Sequence, residues 1–86
     1  MDRKTYESAS EIVSQIDKEK ERRRIGQRIA DMRKERRMTQ QMVADAAGLQ
    51  RCHVARIEMG RYSVGLDTLA AIGDTMGMEL DYVPKE

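Results

Sequence analysis

The stretch Thr39–Gly60 constrains this 86-residue chain most, because it holds two short runs of helical periodicity separated by one glycine. Met42, Val43, Ala46 and Ala47 recur at three- and four-residue steps after Thr39, whose hydroxyl suits an N-cap because it can accept a backbone N–H from the first turn. Gly48 ends that run. A chain that turns sharply after a helix usually needs a positive φ, which glycine adopts without steric cost. Gln50 opens the second run, where Val54 and Ile57, three apart, share one face. At about 100° per residue, Cys52, Ala55, Arg56 and Met59 gather on the opposite face with Arg51 alongside. A helix that presents cations and small side chains fits the DNA major groove, where Arg pairs with guanine edges and with phosphates.

This pattern resembles the helix-turn-helix of the Cro/C1 repressor family, often called the XRE family. With Gln40 as the first residue of the motif, Ala44 stands where the family needs a small residue at the helix crossing. Gly48 stands at the turn, and Val54 and Ile57 at the two buried positions of the recognition helix. Thr39-Gln40, Arg56-Ile57-Glu58 and Gly60-Arg61 also fall where the family commonly has them. The likeness runs over residues 23–80. It implies an all-α, lambda-repressor-like bundle of about five helices, a count taken from the family's fold class. An N-terminal helical extension would occupy residues 1–19, the DNA-binding domain 20–77, and a short C-terminal dimerisation strand with its tail 78–86.

The same resemblance implies site roles. Arg51, Cys52 and Arg56 would face base edges, and Thr39, Gln40, Gln50 and Arg61 would meet phosphates, helped by free N–H groups at the helix starts. His53, at the edge of the exposed face, is placed for a base or a phosphate. An Arg paired to guanine contributes about 1–3 kcal/mol of discrimination. Arg33 lies on the inward side of its helix, where a charge needs a partner. The family pairs it with the acid at Glu58, as a structural ion pair rather than chemistry.

The flanks follow from periodicity. Tyr6, Ala9, Ile12, Val13 and Ile16 predict a helix over Met1–Gln15, which the likeness does not cover. A second helix is predicted over Lys20–Arg36, with Ile25, Ile29 and Met32 inward and Arg22, Arg28, Lys34 and Arg36 outward; the pattern leaves open whether it continues the first. Gly26 lowers its stability by up to ~1 kcal/mol relative to Ala, which packing can offset. Similar sequences commonly carry Gly where Arg37 stands, so a different turn is expected there. Leu66–Met76 reads as the last helix, capped by Gly65, with Leu66, Leu69, Ala70, Ile72 and Met76 as its buried face and Gly73 packed closely on a neighbour. After Gly77, Met78–Val83 alternates apolar and acidic residues, which is a strand signal stopped by Pro84. A lone strand leaves its backbone groups unpaired, so Met78, Leu80 and Tyr82 are expected to pair with the same strand of a second subunit.

Composition narrows the function. Without Phe or Trp, and with three Tyr and seven Met, the core must be modest, and oligomerisation is expected to bury part of what one subunit leaves open. The net charge of +1 conceals a division: Lys18–Arg61 holds thirteen Lys/Arg against six Asp/Glu, and both flanks are acidic. A local positive field attracts phosphates whatever the total. No apolar run approaches a membrane span and no signal peptide is visible, so a cytoplasmic location is expected. One Cys excludes an internal disulfide, and no clustered ligands suggest a metal or cofactor. Cys52 and His53 point about 100° apart on a helix and make no catalytic dyad, so no enzymatic activity is expected. A redox role for Cys52 is weighed below its reading as a small DNA-facing residue.

The reading that results is a homodimeric, sequence-specific repressor. Two alternatives stand beside it: an antitoxin whose N-terminal segment neutralises a toxin protein, and an interaction adaptor, against which the arginines of the recognition face argue.

Overall fold

Asp17 starts the first helix. Its backbone is extended and its carboxylate accepts the Lys20 N–H at 2.9 Å, a side-chain cap that opens α1 (Lys18–Glu35). The computed structural model describes residues 17–85, and the helix expected over Met1–Gln15 lies outside them. Three more helices follow: α2 (Gln40–Ala47), α3 (Arg51–Glu58) and α4 (Leu66–Thr75). The fold is all-α, with four helices among the described residues.

One apolar cluster holds them together. Ile29 and Met32 of α1, Val43 and Ala44 of α2, Val54 and Ile57 of α3, and Ile72 with Met76 from α4 and its end are all buried. Each helix supplies two residues at three- or four-residue spacing or adjacent to one another, the signature of an amphipathic face turned to a common core. α3 lies between α1 and α2, and α2 also packs on α4.

Gly26 is where α1 crosses the end of α3. A Cβ there would run into the carbonyl oxygens of Ile57 and of Glu58, the latter at 2.6 Å. The propensity cost read from the sequence therefore has a cause: only a residue without a side chain lets the two backbones approach this closely. Gly73 is similarly close to the Met78 carbonyl, in keeping with the expected tight packing.

All four helices end alike. In each, an N–H beyond the last turn reaches back to a carbonyl five residues earlier: Met38 to Arg33, Leu49 to Ala44, Arg61 to Arg56 and Met78 to Gly73, at 2.8–3.1 Å. This ending needs a left-handed residue just past the helix, and Gly48, Gly60 and Gly77 supply three of the four. Arg37 supplies the fourth, at φ 54°. The different turn expected there is thus not found, because the hydrogen bonds of the ending force Arg37 into a glycine-like conformation.

Other expectations are corrected by packing. Arg36 does not simply project outward: its Nε donates to the Met76 carbonyl at 3.0 Å and its Nη1 to that of Met32 at 3.0 Å, tying the ends of α1 and α4. Leu66, 70% exposed, and Ala70 lie on the outer side of α4, so Leu69, Ile72 and Met76 make the inner face. Met42 is also largely exposed, since its sulfur accepts the Thr39 N–H at 3.5 Å while its own N–H reaches the Thr39 hydroxyl at 3.0 Å. The C-terminal strand does not form in the single chain. Met78–Val83 has no ladder partner among the described residues, and Tyr82 is 99% exposed.

Gly26→Ala tests the crossing. Helix propensity alone would make the variant more stable by up to about 1 kcal/mol, whereas the forced separation of α1 and α3 should make it less stable by about 1–3 kcal/mol. Urea denaturation read by circular dichroism distinguishes the two signs.

Candidate nucleic-acid interface

The exposed side of the fold is organised around an ion pair beneath it. Arg33, reaching inward from α1, meets Glu58 at the end of α3 with two parallel hydrogen bonds, Nε to Oε2 at 2.8 Å and Nη2 to Oε1 at 2.9 Å. The side chains are 12% and 7% exposed. The third arm of Arg33, Nη1, donates to the Met38 carbonyl at 3.0 Å. Burial works to raise the Glu58 pKa, but hydrogen bonds from Arg33 and Gln40 and the charges of Arg33 and Lys34 outweigh it, holding the carboxyl below its ordinary range. The bond to Glu58 raises Arg33 in turn.

Gln40 carries this pair to the surface. Its Nε2 donates to Glu58 Oε1 at 3.0 Å, which fixes the amide so that its Oε1 faces Arg51 Nη1 at 3.5 Å. The sequence assigned Gln40 to phosphate. In the fold its amide is already held at both ends, and it stands between the core pair and the first residue of α3.

Arg51, Cys52 and Arg56 are exposed on α3, away from the buried Val54 and Ile57, as the 100° spacing required. Gln50 is the extended residue before α3; its side chain caps nothing and lies 3.5 Å from the Cys52 thiol, which donates to its Oε1. Cys52 is a free thiol. His53, half-buried at the helix edge, stacks its ring on Tyr62, centroids 5.6 Å apart, and so braces the loop after α3. Thr39 spends its oxygen on the Met42 N–H yet keeps its hydroxyl proton to donate. Arg61 is exposed beyond the far end of α3.

Beside the start of α3 lies an open concavity lined by Lys34, Arg37, Thr39, Gln40, Gln41 and Arg51, with the paired Arg33 at its floor. Among the described residues, no acid lines it. The sequence reading left Lys34 and Arg37 out of the site, because one looked like an ordinary outward residue of α1 and the other like a turn residue. Among the described residues, no group of three His, Cys, Asp or Glu is placed to hold a metal ion, and no helix is long and apolar enough to cross a membrane.

Two short helices joined at a left-handed glycine, with a cationic outer face on the second, correspond to a profile described as helix-turn-helix, which matches residues 29–83. The chain belongs to the Cro/C1-type helix-turn-helix family. Over 62 residues, 72% of the chain, it is 40% identical to the immunity repressor protein of Bacillus phage phi105. It spans 43% of the length of that relative. Within the family frame, Arg33 and Glu58 sit beneath the motif and the cations above it.

Removing one member of a buried pair strands the other charge, so Glu58→Gln should cost about 2–4 kcal/mol at pH 7. Because the folded carboxyl lies below its reference value of 4.5, its contribution is fully present above that pH and is lost as the pH falls through the folded value. Denaturation midpoints of parent and variant should therefore converge in acid. A gap of equal size at pH 7 and pH 3 would show that the charge of Glu58 contributes nothing.

Proposed function

We propose that this chain is a sequence-specific, double-stranded DNA-binding transcriptional repressor that acts as a homodimer on a two-fold symmetric operator in the cytoplasm. The observation that carries the reading is the outer face of α3: Arg51, Cys52 and Arg56 stand exposed together beside a concavity lined by cations and, among the described residues, no acid. The name of the phage relative, an immunity repressor, points the same way. In this reading Arg51 and Arg56 read base edges, Cys52 leaves room for them to approach the groove floor, and Thr39, Gln50 and Arg61 meet backbone phosphates. Gln40 sets the direction of Arg51.

Dimerisation is the second part of the proposal. Leu80, Tyr82 and Val83 are exposed apolar residues on a segment whose backbone finds no ladder partner among the described residues. Pairing of Met78–Val83 with the same segment of a second copy would cover them and satisfy the backbone at once. Two recognition helices related by that axis would enter successive major grooves, with half-sites about 34 Å apart.

Selection of bound duplexes from a random library at near-physiological salt tests the whole reading. Enrichment of a palindrome with half-site centres about ten base pairs apart is expected; folded protein that enriches no motif would remove sequence-specific readout as its function. On the selected site, Arg56→Ala should weaken specific binding by about 1–3 kcal/mol while leaving random-duplex affinity nearly unchanged. Equal losses on both would reduce Arg56 to a phosphate contact.

A further inference from the structure

Four of the described residues occupy the left-handed position after a helix, and three of them are glycines. The exception, Arg37, has φ 54°. An L-residue with a long side chain is strained there, and such strain persists only where something else holds it. Packing is not the reason, since Arg37 is exposed and its side chain makes no hydrogen bond or ion pair among the described residues. Its neighbour Arg36, by contrast, is fully engaged with the carbonyls of Met32 and Met76.

The surroundings of Arg37 explain what its charge is for. It lines the concavity with Lys34 and Arg51. Among the described residues Glu58 pairs with Arg33 and accepts from Gln40, Asp45 accepts from Gln41, and Glu35 lies 3.7 Å from Arg36; none is paired with Arg37. Lys34, Arg37 and Arg51 thus line one concavity at the start of α2 with no ion-pair partner among the described residues, where the Gln40 and Gln41 N–H groups have no intrahelical partner and the Thr39 hydroxyl proton is free. A concavity lined by cations and backbone donors, with no acid among its described lining residues, suits an anionic oxygen group such as a phosphodiester.

We propose that Arg37 is a phosphate ligand, and that with Lys34 it holds one backbone phosphate of duplex DNA in this concavity, beside the base-reading Arg51. The inference rests on the DNA-binding reading above. Held in the left-handed turn, Arg37 adds a cation to the concavity from the α1–α2 connection, next to Lys34 from α1.

The test exploits effects of opposite sign. Arg37→Gly relieves the backbone strain and removes the charge, so its urea midpoint should rise above that of the parent. Its affinity for duplex should fall roughly tenfold, the scale of one charge-assisted contact, and equally for selected and random sequences. The slope of log affinity against log salt should shrink by about 1. Arg37→Lys, which keeps the charge, should retain most of the slope. A glycine variant that binds with unchanged affinity and slope overturns the role of Arg37 while leaving the DNA-binding reading intact. A parent protein that binds no duplex at any salt overturns both.

Discussion

The Arg33–Glu58 pair is the constraint on which the geometry of the exposed face depends. It joins the last turn of α1 to the last residue of α3, and through Met38 and Gln40 it reaches both sides of the α1–α2 connection. A bidentate pair of this kind permits little sliding, since both hydrogen bonds lengthen if either helix rotates. A buried pair is weak evidence for stability, because well-packed apolar residues often serve as well. Its consequence here is register. The glycine crossing at Gly26, beside the same end of α3, sets the distance between the helices, and the ion pair sets their relative orientation.

With α3 so fixed, the exposed side chains inherit their directions. Val54 and Ile57 are committed to the core, which leaves Arg51, Cys52 and Arg56 outside by helical geometry alone. The end of α3 is held by the left-handed Gly60 and by the stack of His53 on Tyr62, so the loop carrying Arg61 starts from an anchored point. Gln40 adds a side-chain link between the buried carboxylate and Arg51. Preorganisation of this sort matters for recognition because an Arg already held in place loses less conformational freedom on binding.

The sequence made much of this legible, and where it failed the reasons are physical. Helix periodicity placed all four described helices to within two residues at each end, and the resemblance paired Arg33 with Glu58 across a sequence separation that no local rule bridges. Leu66 and Ala70 were misplaced because α4 turns only a narrow face to the core, which a count of apolar positions overestimates. Arg36 looked outward by the wheel, yet its long side chain folds back to the carbonyls that end α1 and α4. The stack of His53 on Tyr62 was not legible from the helix alone, because Tyr62 lies in a loop whose path the sequence does not give. The strand over Met78–Val83 had a correct alternation but no partner in the chain, and a strand is a property of two segments.

The same separation between local and collective properties resolves the charge of the chain. A total of +1 says little about the field at any surface, because charges cancel only where they meet. On α1, Arg23 and Arg24 are neutralised by Glu19 and Glu21 within the helix, and the charge of Arg33 is absorbed below the surface by Glu58. Several basic residues are thus silent toward a partner. Lys34, Arg37, Arg51 and Arg56 have no carboxylate within ion-pairing distance among the described residues, and the first three share one concavity. The acids that balance them in the total, such as Asp67, Asp74, Glu79 and Asp81, belong to α4 and the C-terminal segment and line no part of it. At physiological ionic strength a field decays over about 8 Å, so a phosphate entering the concavity responds chiefly to the cations that line it.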